Sequence, residues 1–238
     1  MPIHTEPVIQ VPTDRHSFPL QLAHTALIVV DMQNVFCHPQ GFFGSELGAD
    51  LSSVRAIIPC IQRVIAWARQ QQLSIVYTRE SHLPDLADVS PSKALRYANA
   101  GHPIGRLGQM GKFLIQGELG TALIEELQPT NDELQIDKPA QSIFIGTDLA
   151  DTLHQQQITH LLFVGVTTEC CVLASYRQAS DLGFYCLLLS DCCAAMRAIE
   201  HQAAIDVLLA ENGAIGWVTT SDRLLTVTAG ADRDIRRT

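Results

Sequence analysis

Apolar positions along this chain alternate between two spacings. Thr25–Val30 is a short, nearly unbroken apolar run closed by Asp31, the pattern of a strand buried on both faces. Ser53–Gln72 instead repeats apolar residues at Val54, Ile57, Ile58, Ile61, Val64, Ile65 and Ala68. That spacing predicts a helix with one buried face, capped by Ser52 or Ser53. Further strands are predicted at Ser74–Thr78, Glu133–Asp137, His160–Gly165, Phe184–Leu189 and Ala214–Val218. Further helices are predicted at Asp148–Gln157, Thr168–Leu182, Met196–Asn212 and Ser221–Val227. Arg79–Gly120 is rich in Pro, Gly and Ser and holds little sustained period, so it reads as a functional lid or binding loop. Met1–His24 is Pro-rich and is expected to wrap the surface as an extended arm; Ala229–Thr238 is expected to fray.

Strand and helix alternate nearly throughout. The fold class is therefore α/β: a doubly wound, mostly parallel six-stranded sheet with helices on both faces. One domain is expected over residues 25–228, with its lid at 79–120, an arm at 1–24 and a tail at 229–238. The 238 residues, 47% of them hydrophobic, suffice for one sizeable core. The net charge of −9 argues against a nucleic-acid partner, which calls for a basic face. Apolar runs such as Leu161–Val164 fall far below the ~20 residues that span a bilayer, and the N-terminal segment lacks a signal-peptide pattern. A cytoplasmic protein without a membrane partner is the expectation. The first strand runs into Asp31-Met32-Gln33-Asn34 rather than a glycine-rich fingerprint, and no phosphate loop is present, so nucleotide chemistry is disfavoured.

Ligands in open α/β sheets bind beyond the carboxyl ends of the strands. Three reactive side chains fall at such ends: Asp31 after the first strand, Lys138 after the third, and Cys171 just past the fourth. A thiol in the first turn of a helix feels the positive end of the dipole, which favours the thiolate, and Lys138 would favour it further. Asp31 can take the thiol proton and return it to a leaving amine. Taken singly, the three read as a buried Cys, a helix cap and a solvated Lys. Together at equivalent strand ends they form a set suited to splitting a C–N bond. The other cysteines, out of seven, read as small buried hydrophobes, with Cys170 on another helix face and Cys192-Cys193 as packing.

Asp31-Met32-Gln33-Asn34, Ile136-Asp137-Lys138-Pro139 and Gly165-Val166-Thr167-Thr168-Glu169-Cys170-Cys171-Val172 resemble the isochorismatase-like cysteine hydrolases, over about Thr25 to Leu225. The resemblance implies a catalytic triad of Asp31, Lys138 and Cys171. It also implies a cis peptide at Val166-Thr167 and an oxyanion hole formed by the Thr167 and Cys171 N–H groups. Thr78–Asp88, Ile136-Asp137-Lys138-Pro139, Thr147-Asp148-Leu149 and Cys186–Cys193 are similar to the biuret hydrolases within that family. This implies hydrolysis of biuret, or of a close ureide such as triuret or ureidoacrylate, through an acyl-thioester; maleamate and nicotinamide are alternatives on the same scaffold. Family members commonly form homo-oligomers, dimers or tetramers. Glu211-Asn212-Gly213 departs from the Gln-Gly-Gly of that pattern, and an acceptor-only Glu211 favours a substrate end rich in N–H donors.

Phe36, Gln33, Arg79, His82 and Glu211 are the substrate-binding candidates: Phe36 as a pocket wall, Gln33 also as a support for the loop, Arg79 also as an ion-pair partner. Glu80, His82 and Asp85 loosely suggest a metal cluster, but further ligands at fixed spacing are missing, so no metal and no cofactor are expected. The competing class is a thiol redox or binding protein. Neither Cys-Cys pair has Cys-x-x-Cys spacing or an evident resolving partner.

Overall fold

The computed structural model describes residues 7–235. Its strands are β1 (Ile9–Val11), β2 (Phe18–Leu20), β3 (Thr25–Val30), β4 (Ser74–Glu80), β5 (Leu107–Gly108), β6 (Gly111–Lys112), β7 (Leu134–Lys138), β8 (His160–Val166), β9 (Tyr185–Ala194) and β10 (Trp217–Thr219). Its helices are α1 (Asn34–Cys37), α2 (Phe42–Ser45), α3 (Ser52–Ala56), α4 (Ile58–Gln70), α5 (Pro91–Asn99), α6 (Leu149–Gln155), α7 (Leu173–Asp181), α8 (Ala198–Gly213) and α9 (Ser221–Ile235).

Six strands form one parallel sheet in the order β10-β9-β8-β3-β4-β7. The chain thus starts in the middle, winds outward to β7, then returns to β8 on the other side of β3. That reversal between β3 and β8 is the switch point where a doubly wound sheet opens a crevice. Alternation along β3 feeds two cores. Leu27 and Val29 join the cluster with Ile61, Val64 and Leu224, while Ala26, Ile28 and Val30 join Leu153, Tyr176 and Leu208. Both faces are therefore covered, which is why β3 and β8 read as continuous apolar runs. At the switch point β8 comes so close to β3 that a Cβ on Gly165 would lie 2.1 Å from Val30 O, so only glycine fits.

Four details differ from the sequence expectation. The Ser53–Gln72 helix is broken at Ile57 because Pro59, in the first turn of α4, has no N–H to give back. The 79–120 segment contains a two-turn helix, α5, started by Pro91 and capped by Ser90 Oγ, which accepts the Lys93 N–H at 3.3 Å. The arm is not merely wrapped: β1 and β2 pair, bury Val11, Phe18 and Leu20, and Asp14 N donates to Val218 O at 2.9 Å. Residues 1–6 lie outside the described residues. The predicted tail continues as α9 to Ile235, and residues 236–238 lie outside the description. Among the described residues no helix is long and apolar enough to cross a membrane.

Candidate active site

β3 ends at Asp31, which adopts a left-handed backbone (φ 48°) and is fully buried. Such a conformation is rare for a residue with a Cβ and re-aims the side chain off the strand direction. Thr78 Oγ1, on neighbouring β4, donates to Asp31 Oδ1 at 2.7 Å. Asp31 Oδ2 faces the Lys138 ammonium at 2.8 Å and accepts no other hydrogen bond. Lys138 closes β7, is also buried, and donates to Ala140 O at 2.8 Å. Burial disfavours its charge, but Asp31 first, then Cys171 and Glu80, hold its pKa well above the ordinary lysine value.

Cys171 sits in a π-helical turn, Thr168–Val172, directly after β8. Its sulfur, a carboxylate oxygen of Asp31 and one of Glu80 all lie within 4.8 Å of one another. The structure thus brings Asp31, Lys138 and Cys171 together at the switch point. The peptide bond at Val166-Thr167 is cis, where the resemblance placed it.

The thiol differs from the expectation. Cys171 Sγ donates to Glu80 Oε2 at 3.2 Å. The adjacent Cys170 thiol, burial and the carboxylates of Asp31 and Glu80 push the Cys171 pKa up, against the opposing pull of Lys138. The resting group is therefore a thiol bonded to a carboxylate rather than a thiolate. Cys170 itself is half-buried rather than core.

Glu80 is the residue that sequence reasoning placed only loosely. It ends β4 opposite Lys138 in register and is 1% exposed. Burial raises its pKa, but the Lys138 and Lys93 ammonium groups overcome that and bring it down to about 2. Lys93 comes from α5 and donates to Glu80 Oε1 at 2.6 Å, His82 Nε2 at 2.9 Å and Pro139 O at 2.8 Å. Tyr97, one turn on, donates to the same Oε1 at 3.3 Å. The missed signal was available: Glu80 lies two residues past the predicted end of a strand next to the one ending at Asp31, and the strand-end rule applied to β4 selects it.

Three expected substrate contacts are engaged elsewhere, and a fourth lies away from the site. Gln33 is fully buried; its Nε2 donates to Glu80 O at 3.2 Å and Thr121 O at 3.0 Å, and its Oε1 accepts the Glu80 N–H at 2.8 Å. Its amide is spent on the backbone of Glu80, which makes it a support for the loop. Arg79, one pleat position from Glu80, is turned to the other face and pairs with both oxygens of Asp137 at 2.8 Å. His82 spends one ring nitrogen on Asp88 (3.2 Å) and the other on Lys93 (2.9 Å). Burial, then Lys93, lowers its pKa, so it stays neutral as an acceptor for Lys93. Glu211 is exposed at the far end of α8, next to Asn212, whose carbonyl meets His16 of the arm at 2.8 Å. α8 starts beyond the carboxyl end of β9 and runs back, so Glu211 lies at the opposite edge of the sheet. Phe36 packs edge-to-face on Phe43 at 5.2 Å, in an aromatic group that continues through Phe113 to Tyr97.

A metal has little room here. Asp31, Glu80 and Cys171 converge as three donors, but the Lys138 and Lys93 ammonium groups already stand at the carboxylates where a cation would bind. Asp85, expected loosely with Glu80 and His82, instead accepts the Ala87 N–H at 3.1 Å.

Comparison with known proteins finds relatives over most of the chain. Ureidoacrylate amidohydrolase RutB of Variovorax paradoxus (strain S110) is 31% identical over 213 residues, covering 85% of this chain and 81% of that protein. Its counterpart in Yersinia enterocolitica is 30% identical over 205 residues, covering 82% and 85%. Among solved structures, a cysteine hydrolase from Pseudomonas syringae pv. phaseolicola 1448A superposes with a TM-score of 0.76 at 24% identity over 95% of this chain and 99% of that one. N-carbamoylsarcosine amidase from Thermoplasma acidophilum gives 0.63 at 24%, over 83% and 96%. These two likenesses concern the fold. Residues 25–223 match the isochorismatase domain, and with the central sheet, its switch point and the relatives in agreement, the chain belongs to the isochorismatase family.

Proposed function

We propose that this protein is a cysteine-dependent amidohydrolase that releases ammonia from a small ureide, with biuret as the preferred substrate. The observation that carries the reading is the meeting of Cys171, Asp31 and Lys138 at the switch point, with the thiol and both carboxylates within 4.8 Å. In this mechanism Cys171 Sγ attacks the terminal carbonyl carbon of biuret. Its proton passes to Asp31 Oδ2, the oxygen that accepts no other hydrogen bond, and then to the departing nitrogen, which leaves as ammonia. The Thr167 and Cys171 N–H groups hold the oxyanion, and Lys138 holds Asp31 in place. Water, deprotonated by Asp31, then cleaves the acyl–sulfur bond, giving carboxyurea and the free thiol.

The named relatives favour a second substrate, ureidoacrylate, which shares the terminal urea head but ends in a carboxylate. Charge favours biuret. The two buried ammonium groups of the site are already bonded to carboxylates, which leaves neither of them for the carboxylate of ureidoacrylate, whereas biuret carries no charge to match. The test is ammonia release from biuret, triuret, ureidoacrylate, maleamate and nicotinamide, with Cys171→Ala as control. Biuret should give the highest kcat/KM and the variant none. Faster turnover of ureidoacrylate would move the assignment to it, and release of ammonia from none of the five would overturn the amidohydrolase reading.

A further inference from the structure

Away from the active site, two cysteines distant in sequence meet. Cys60, in the first turn of α4, and Cys192, in β9, bring their sulfurs to 2.7 Å. Both are free thiols, Cys192 fully buried and Cys60 partly exposed. We propose that Cys60 and Cys192 form a reversible disulfide with a low-molecular-weight disulfide such as oxidised glutathione as the oxidant.

The geometry favours a bond over a metal centre. A disulfide spans ~2.0 Å, so the sulfurs need to close by less than 1 Å. Two thiolates on one tetrahedral zinc, each at ~2.3 Å, would sit ~3.8 Å apart, so the pair is too close to share an ion. The third nearby donor, Asp191, is already used: Oδ1 accepts the Ser221 N–H at 2.8 Å and Oδ2 the Ser221 hydroxyl at 2.7 Å. The Arg63 guanidinium also lies 3.8 Å from Cys60 Sγ, where it repels a metal cation and supports a developing thiolate. Exposure sets the order of events. Cys60 attacks the small disulfide, forming a mixed disulfide and releasing one reduced thiol. Cys192 then attacks Cys60 Sγ, forming the internal bond and releasing the second; the two cysteines lose two hydrogens and the oxidant gains them.

The resulting link ties α4 to β9 one residue before Cys193, which pairs with Gly165 at the end of β8. It therefore clamps the strand beside the one that leads into Cys171. It also supplies the resolving partner that neither adjacent Cys-Cys pair provides, without invoking the proposed nucleophile.

The test is to treat the full chain with oxidised glutathione, block remaining thiols under denaturing conditions, and map the peptides by mass. The expected result is a Cys60–Cys192 linked pair two hydrogens lighter than the separate peptides, reversed by dithiothreitol. In Cys60→Ser that pair should vanish and Cys192 should stay unmodified. Arrest at a glutathione adduct on Cys60, or linkage of Cys192 to another cysteine, would overturn the proposal. So would tight zinc uptake by the reduced chain that Cys60→Ser abolishes. Because the wild-type map alone decides the matter, poor folding of a variant leaves the answer intact.

Discussion

Lys93→Met isolates the role of the lid helix in shaping the site. The substitution keeps an unbranched side chain and removes a buried ammonium that donates to Glu80, His82 and Pro139. Removing one partner of a buried pair costs ~3–5 kcal/mol, because the other charge is stranded. Glu80 retains Lys138 at 3.7 Å and the Tyr97 hydroxyl at 3.3 Å, so the low end applies, about 3 kcal/mol. For a chain of this size that is a fall of ~6–12 °C in Tm. The pH dependence follows from Glu80, whose pKa is depressed to about 2. A depressed carboxylate contributes stability above its unfolded pKa and loses it as pH falls through the folded value. Without Lys93 the carboxyl rises toward its ordinary range and that contribution shrinks. The stability gap between wild type and variant should therefore be widest at pH 7 and narrow between pH 5 and pH 2. Urea unfolding at pH 7, 5, 4 and 3 reads it directly. Adding Glu80→Gln should restore about 2 kcal/mol relative to Lys93→Met, since the stranded charge is gone. A variant within ~0.5 kcal/mol of wild type, or a gap constant across pH, would refute a buried Glu80–Lys93 pair.

Asp31→Asn strands the buried Lys138 ammonium, so it should lower Tm by ~6–12 °C while staying folded at 25 °C, and lose ~10²–10⁴ in kcat, the usual worth of a positioned acid–base group; activity of the folded variant within a few-fold of wild type removes Asp31 from the mechanism. Glu80→Gln should retain far more turnover than Asp31→Asn, because a carboxyl held at about 2 is a poor proton acceptor, and equal losses would make Glu80 a second base. Arg79→Ala and Glu211→Gln should leave kcat/KM within about threefold, since Arg79 is bound to Asp137 and Glu211 sits at the opposite sheet edge; a loss of tenfold or more in either would put it back at the substrate. Exhaustive chelation should leave activity whole, because Lys138 and Lys93 stand where a cation would; loss restored by zinc would contradict that.

The centre of the main sheet is legible because β3 and β8 are buried on both faces. β3 and β8 carry no competing polar pattern, and their ends point to Asp31 and Cys171. Contacts between distant elements are what the linear pattern leaves out. Ser90-Pro91 carries a cap and a first-turn proline, but the glycine and proline content of the surrounding segment masks α5. Glu80 stands beside His82 and Asp85 in sequence, but its ionic partners are Lys138 across the sheet and Lys93 on α5. Gln33, Arg79, His82 and Glu211 were drawn toward substrate by proximity to a motif or by resemblance. Their side chains are fixed by strand register and by a helix direction that a linear reading does not carry. The Cys60–Cys192 meeting, 132 residues apart, is likewise visible only once α4 packs on β9.

The site's charge balance bears on when the thiol ionises. Two carboxyl groups, Asp31 and Glu80, are matched by two ammonium groups, Lys138 and Lys93, in ion pairs of 2.8 Å and 2.6 Å. A standing thiolate at Cys171 would add a third, unmatched anion among buried groups, and burial penalises that charge heavily. This is why the helix-dipole argument, which favours a thiolate at Cys171, does not decide the resting state here: the dipole contributes ~0.3–1 kcal/mol, while the adjacent Cys170, burial and the adjoining carboxylates raise the thiol's pKa. Moving the thiol proton to Asp31 during attack displaces charge without creating any. In that arrangement Glu80 orients Sγ–H at rest, Asp31 receives the proton, and Lys138, which touches both carboxylates, keeps the exchange balanced throughout.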